Sequence, residues 1–413
     1  MIVLTGADLV LPDRILPAGT ITIDDGHITA IKTESQVAPS SPFAFHGHTI
    51  VPGFIDVHVH GVSGADTLGD ADAVAQIAAM LPQFGVTAFC PTTIACAPAR
   101  LRRVLEQVRA CRERPPSNAA RVLPAHLESN FINPDYCGAQ PLACLRQPLK
   151  AGAPRPPGDR RRGEDFSALD IEDVIDAHVP DIAIVTLAPE IEGGMDLLAR
   201  LVERGIRVSL GHSGATCDEG LAAIAAGARQ ATHLFNRMPP LHHRSPGLAG
   251  AVLQSDDVAA ELICDGTHVH PALIRMVAAA KKPSKVMAIS DGTAASALPV
   301  GAAARLGDRA IFAGPDCAHL EDGTMAGSIL TMDEVFRRLT GQMGFTPVDA
   351  AVMCATTPAR ELGMVGYGVL AEGAVADLTV LDRAGQVAQT YVGGRLVYAR
   401  RVIEGNSASA TSV

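Results

Sequence analysis

Between Val51 and Gly292 the hydrophobic positions follow two alternating patterns: short runs rich in β-branched residues, each closed by a polar residue, then Ala- and Leu-rich stretches with helical spacing. That alternation predicts repeated strand–helix units. The expected strands are GFIDVHVH ending at His58 and His60, VTAFCPTT at Thr92, RVLPAHLE at Glu128 and IAIVTLAPE at Glu190. They continue with IRVSLGH at His212, RQATHLF at His233, VAAELICDG at Asp265 and VMAISDG at Asp291. Eight such units predict an α/β fold, a closed TIM-like (β/α)8 barrel over residues 51–362, with its working face at the carboxyl ends of the strands.

Residues 1–50 and 363–405 change to alternating apolar and polar positions, as in ITIDDGHITAIKT and ADLTVLDRAGQVAQTYVGGRLVYARRVIEG. The two pieces are expected to pair into one small β-sandwich domain built from both termini. A Pro- and Arg-rich insert, GAPRPPGDRRRGED (152–165), interrupts the third unit and reads as a solvated loop or as a lid that draws in an anionic substrate. The tail 406–413 is low in complexity and reads as a flexible end.

Composition narrows the partners. The 413 residues carry a net charge of −10, which opposes attraction to nucleic acid or anionic lipid. Aromatic residues make up 4% and Trp is absent, so the core must be built from aliphatic side chains. Nine scattered cysteines with no Cys-x-x-Cys pair argue for free thiols in a reducing compartment. The beginning reads as strands, not as a signal peptide, and no apolar stretch is long enough to span a bilayer, so a cytoplasmic location is expected.

His, Glu and Asp at the ends of separate strands facing one rim would be costly to bury without a ligand. His58 and His60, two apart on a strand, point to the same face and can share one ion. Glu128 adds a bridging carboxylate, and His212 and His233 add two imidazoles. Such nitrogen and oxygen donors suit Zn²⁺ or another divalent transition metal. Asp291 reads as a ligand, a general base, or both. A divalent ion lowers the pKa of bound water from about 15.7 towards 7 and polarises a carbonyl. A carboxylate in reach takes the proton and returns it to a leaving nitrogen, so hydrolysis of an amide or related C–N bond is the expected reaction.

The order His-x-His, Glu, His, His, Asp resembles the amidohydrolase superfamily. Longer stretches, PGFIDVHVHG (52–61), HLESNFINP (126–134), GHSGAT (211–216), ATHLFNRMPPLHHRSPGLAG (231–250), DGTHVHP (265–271) and EDGTMAGSILTMDE (321–334), resemble its N-acetylglucosamine-6-phosphate deacetylase family. The resemblance implies release of acetate from a phosphorylated N-acetyl amino sugar. It implies Glu128, His212 and His233 as the main metal ligands, His58 and His60 as a pair that admits a second ion, and Asp291 as the catalytic acid and base. It further implies Asn236, His268 and Ala139 at the substrate, and Arg244 reaching the phosphate from the neighbouring subunit of a homodimer. One position departs: where the family carries Gly-Ala-His, with the His polarising the substrate carbonyl, this chain has Gly138-Ala139-Gln140. A neutral amide donates a hydrogen bond but carries no charge, which keeps open a different N-acyl sugar or a cyclic amide as substrate.

Overall fold

The computed structural model describes residues 1–33, 44–150 and 165–401. Eight parallel strands lie side by side in chain order: β1 (Phe54–Val59), β2 (Val86–Thr93), β3 (Ala125–Glu128), β4 (Ile182–Leu187), β5 (Arg207–Leu210), β6 (Gln230–Ala231), β7 (Ala259–Ile263) and β8 (Val286–Ile289). The last strand returns to the first. Just past β8, Asp291 N–H donates to the His58 carbonyl at 3.0 Å and His60 N–H donates to the Gly292 carbonyl at 2.7 Å, closing the barrel. Below this seam Ser290 Oγ donates to the buried Asp56 Oδ2 at 2.5 Å.

The strands are buried on both faces, which is why they read as continuous apolar runs; every residue of β2 is buried. Ile55, Val57, Cys90, Ile184, Met287 and Ile289 belong to one buried cluster, while the helices pack in a larger one outside it. A helix follows each strand, and its start is written locally. Ser167 and Thr216 form capping boxes with Asp170 and Glu219. The helix after β8, Met332–Thr340, buries Met332, Val335, Phe336 and Leu339, the spacing of one helical face. Between β8 and this helix the chain makes a three-stranded antiparallel sheet (Ala303–Leu306, Arg309–Ala313, Ala318–His319) that the sequence pattern did not announce.

The termini combine in one seven-stranded mixed sheet, in the order Arg395–Ala399, Val387–Val392, Leu378–Leu381, Thr49–Pro52, Ile2–Val10, Ile15–Asp24, His27–Thr33. The hairpin at Asp25-Gly26 has φ of 46° and 75°, the left-handed pair that a two-residue turn requires. Leu4, Leu9, Ile21, Ile50, Leu378 and Tyr391 form this sheet's own core. Thr49–Pro52 pairs on both sides, and so joins the two ends of the chain. The Pro- and Arg-rich insert, but for Asp165, and the tail 406–413 lie outside the described residues.

Candidate metal centre and catalytic cavity

At the carboxyl ends of the strands the barrel opens into a cavity of about 530 Å³ lined by His60, Glu128, His212, His233 and Asp291, among others. His58 lies beneath them, fully buried. Glu128 is the hub. Its Oε1 is 2.9 Å from both His212 Nε2 and His233 Nε2, and its Oε2 is 3.5 Å from His60 Nε2. Asp291 Oδ1 is 3.3 Å from His58 Nε2 and 3.4 Å from His60 Nε2, and those two nitrogens are 3.2 Å apart.

The backbone is strained at three of these positions. His212, His233 and Asp291 have φ of 47°, 30° and 46°, left-handed values that cost a non-glycine residue on the order of 1–3 kcal/mol each. Strain of this kind is kept where a side chain must be aimed, and here the turn at the strand exit swings each group over the barrel mouth.

For His212 and His58 the far side of the ring decides what the near side offers. His212 Nδ1 donates to the Tyr136 carbonyl at 2.8 Å, and His58 Nδ1 donates to Glu261 Oε2 at 2.9 Å. In the neutral rings Nε2 then carries a lone pair, and that lone pair faces carboxylate oxygens and other imidazole nitrogens. Acceptors converging on acceptors repel unless a cation lies between them. The electrostatics point the same way. Burial alone would raise the Glu128 carboxyl, yet His212, His233 and His58 hold it well below the usual range. Burial favours neutral His58, but the carboxylates of Glu261, Asp291 and Glu128 push it up to about 10. Burial would raise Asp291, and the rings of His58, His60 and His233 bring it down to about 2. The cluster calls for positive charge at its centre, and the donors His58, His60 and Glu128 on one side and Glu128, His212 and His233 on the other fit divalent ions.

The remaining expected residues divide. Asn236, Ala139, Gln140 and His268 line the cavity. His268 is fixed by Asp265, whose Oδ2 accepts from its Nδ1 at 2.5 Å, whereas the alternative ring, His270, is exposed and caps a helix by accepting from Ala272 N–H. Gln140 is engaged at both ends of its amide: Oε1 accepts from Ala95 N–H at 2.8 Å, which fixes the orientation, and Nε2 donates to Glu128 Oε2. Arg244 is exposed and does not line the cavity of its own chain. Glu190, another strand end, accepts from Asn133, Ser213 and Gly214 and serves as a loop clamp.

Two residues escaped the sequence reading. Arg237, next to Asn236, is the only Arg or Lys side chain lining the cavity among the described residues. Glu261 sits within β7, fully buried behind His58. A single charged residue inside an apolar strand was the available signal for it.

The amidohydrolase family model matches residues 49–397. N-acetylglucosamine-6-phosphate deacetylase of Lysinibacillus sphaericus is 33% identical over 379 residues, covering 91% of this chain and 92% of that protein. The chain belongs to the amidohydrolase family, in its N-acetylglucosamine-6-phosphate deacetylase branch. An N-acetylgalactosamine-6-phosphate deacetylase of Escherichia coli O157:H7 is 31% identical over 91% of this chain and 94% of that protein. A mutant of the Mycobacterium smegmatis N-acetyl-D-glucosamine-6-phosphate deacetylase, solved in complex with N-acetyl-D-glucosamine-6-phosphate, superposes with a TM-score of 0.84 at 30% identity, covering 96% of this chain and 99% of that one. The barrel with its terminal sheet is thus the amidohydrolase architecture. Among the described residues no helix is long and apolar enough to cross a membrane.

Proposed function

We propose that this amidohydrolase hydrolyses the acetamide of N-acetylglucosamine 6-phosphate, or of a close N-acetyl amino-sugar phosphate, to acetate and the free amino-sugar phosphate. The observation that carries the reading is the convergence of His58, His60, Glu128, His212, His233 and Asp291 on one point, with imidazole lone pairs turned towards carboxylate oxygens. Glu128, His212 and His233 would hold the principal divalent ion, and His58 and His60 a second; Zn²⁺ suits both sets. A divalent ion there supplies Lewis acidity towards the acetamide carbonyl and lowers the pKa of water to near neutrality.

The chain's own residues do the rest. Asp291, ionised in this setting, takes a proton from the attacking water and passes it to the leaving sugar nitrogen, which departs as the amine while the acetyl carbon leaves as acetate. Gln140 steadies Glu128 from within the cavity. Asn236, Ala139 and His268 contact the sugar phosphate, and Arg244 of the partner subunit in a homodimer completes the phosphate site. The exposure of Arg244 on its own chain supports a role outside that chain's cavity. Nine scattered cysteines with no Cys-x-x-Cys pair suit a reducing, cytoplasmic setting.

The test is acetate release by the Zn²⁺-loaded protein from N-acetylglucosamine 6-phosphate, N-acetylgalactosamine 6-phosphate and unphosphorylated N-acetylglucosamine. The expected result is turnover of a phosphorylated sugar with a preference over the plain one that shrinks in Arg244→Ala. Equal turnover of plain and phosphorylated sugars rejects the phosphate site, and no acetate from any of them rejects the activity.

A further inference from the structure

Glu261 is a fully buried carboxylate in the middle of β7, where its strand neighbours Ala260 and Leu262 are apolar and buried, and it does not line the cavity. A charge in that position is costly unless its oxygens are met by donors. They are met. Oε2 accepts from His58 Nδ1 at 2.9 Å and from His233 N–H at 3.3 Å, and Oε1 accepts from Gln230 Nε2 at 2.5 Å. The Gln230 amide cannot be turned round, because its Oε1 already accepts from Arg207 Nε at 2.8 Å. Arg207 is itself paired with Glu361 at the opposite end of the barrel. A directed line of donors and acceptors therefore runs through the barrel from Arg207 to Gln230 to Glu261, where the His58 donor meets it.

We infer that Glu261 is a positioning residue that makes His58 an ion ligand, acting from inside the barrel. By accepting from Nδ1 it keeps the ring proton on that side and leaves the Nε2 lone pair facing His60 and Asp291, 3.2 and 3.3 Å away. The same carboxylate touches the backbone of His233, so one side chain braces both halves of the cluster. His126, buried beside it, is the internal contrast. Its Nδ1 donates to the Val57 carbonyl at 3.0 Å and its Nε2 meets Thr186 Oγ1 at 2.8 Å, so both nitrogens are spent and the ring is structural. Thus His58, His126 and Glu261, although close together, are one ligand with two supports and not a third ion site.

This inference rests on reading the rim as a metal site, and its test reads metal and protons, independently of substrate. Zn²⁺ binding to the metal-stripped full-length chain is measured by calorimetry for wild type, Glu261→Gln, His58→Asn and the double variant, with unfolding midpoints alongside. Outer partners of ligating histidines are worth about 10- to 100-fold in metal affinity. Glu261→Gln is therefore expected to weaken, by that factor, the Zn²⁺ site that His58→Asn removes, and the double variant to bind no more weakly than His58→Asn alone. In ¹⁵N spectra of the Zn²⁺-loaded protein, wild-type His58 is expected to keep its proton on Nδ1 and none on Nε2, a pattern that Glu261→Gln loosens. Wild-type affinity in a folded Glu261→Gln protein overturns the inference, as does a further loss of the same size in the double variant. Should Glu261→Gln not fold, the wild-type spectrum decides: a neutral His58 with its proton on Nε2 overturns it. A chain that binds Zn²⁺ through His58 and Glu261 but releases no acetate would leave this inference standing and sink the substrate reading.

Discussion

The two ends of the barrel carry clefts of nearly equal size, about 530 Å³ at the carboxyl ends of the strands and about 540 Å³ at the opposite end. Volume does not tell them apart; electrostatics does. In the lower cleft the donors are met by protein partners: Arg207 is bonded to Gln230 and paired with Glu361, which also has Lys285 within 3.6 Å, and Arg229 donates to the Ile224 and Ala228 carbonyls. In the upper cleft imidazoles and carboxylates converge with lone pairs unmatched, on a backbone held in left-handed conformations at His212, His233 and Asp291. A completed ion pair stabilises a fold, whereas an incomplete one awaits something from solution.

Substitutions at the two ends should separate accordingly. The largest effect is expected for Asp291→Asn, which removes the proton-accepting carboxylate and lowers kcat by about 10²- to 10⁴-fold, with at least the Glu128, His212 and His233 ion retained; steady-state kinetics with elemental analysis checks both. Unchanged kcat would break the contrast at its upper end. Gln140→Ala frees Glu128 Oε2 and is expected to weaken Zn²⁺ binding by about 10- to 100-fold, read by chelator competition. Arg237→Ala should raise KM for the phosphorylated sugar by about 10-fold, the worth of a hydrogen bond to a charged group, and leave KM for the unphosphorylated sugar unchanged.

The smallest effect belongs to the lower cleft. Glu361→Gln should lower the unfolding free energy by about 1–2 kcal/mol, the loss of charge-assisted bonds at a partly exposed site, and leave kcat alone. Burial would raise the Glu361 carboxyl, but Arg360, Arg207 and Lys285 hold it below its ordinary value. Its contribution is therefore complete above the unfolded-state pKa of about 4.3 and lost as pH falls through the lower folded value. Denaturation midpoints from pH 6 down should show a flatter acid limb in the variant, and an unaltered limb would mean that the pair is not a stabilising one.

Much of this was legible in the sequence, for identifiable reasons. Strands buried on both faces write themselves as apolar runs, and each candidate ligand lies at or just past the end of such a run, so His58, His60, Glu128, His212, His233 and Asp291 stood out, and their side chains come together. Glu261 did not, because it lies within its strand, and what it does depends on His58, 203 residues away in the chain. The direction of the Gln140 amide was equally hidden, since it follows from a backbone N–H at Ala95 in another loop. The sheet at residues 303–319 is short and weakly apolar, with Ala303 and Arg305 exposed, so its pattern did not rise above that of a loop.

The unmatched upper cluster is expected to work through a divalent ion. Its most direct test is to strip the purified protein of metal with a chelator, measure acetate release from N-acetylglucosamine 6-phosphate, and then add back Zn²⁺. Release is predicted to fall to background in the stripped protein and to return with the ion, in wild type but not in Asp291→Asn. Undiminished release from a demonstrably metal-free protein would mean that the cluster needs no ion.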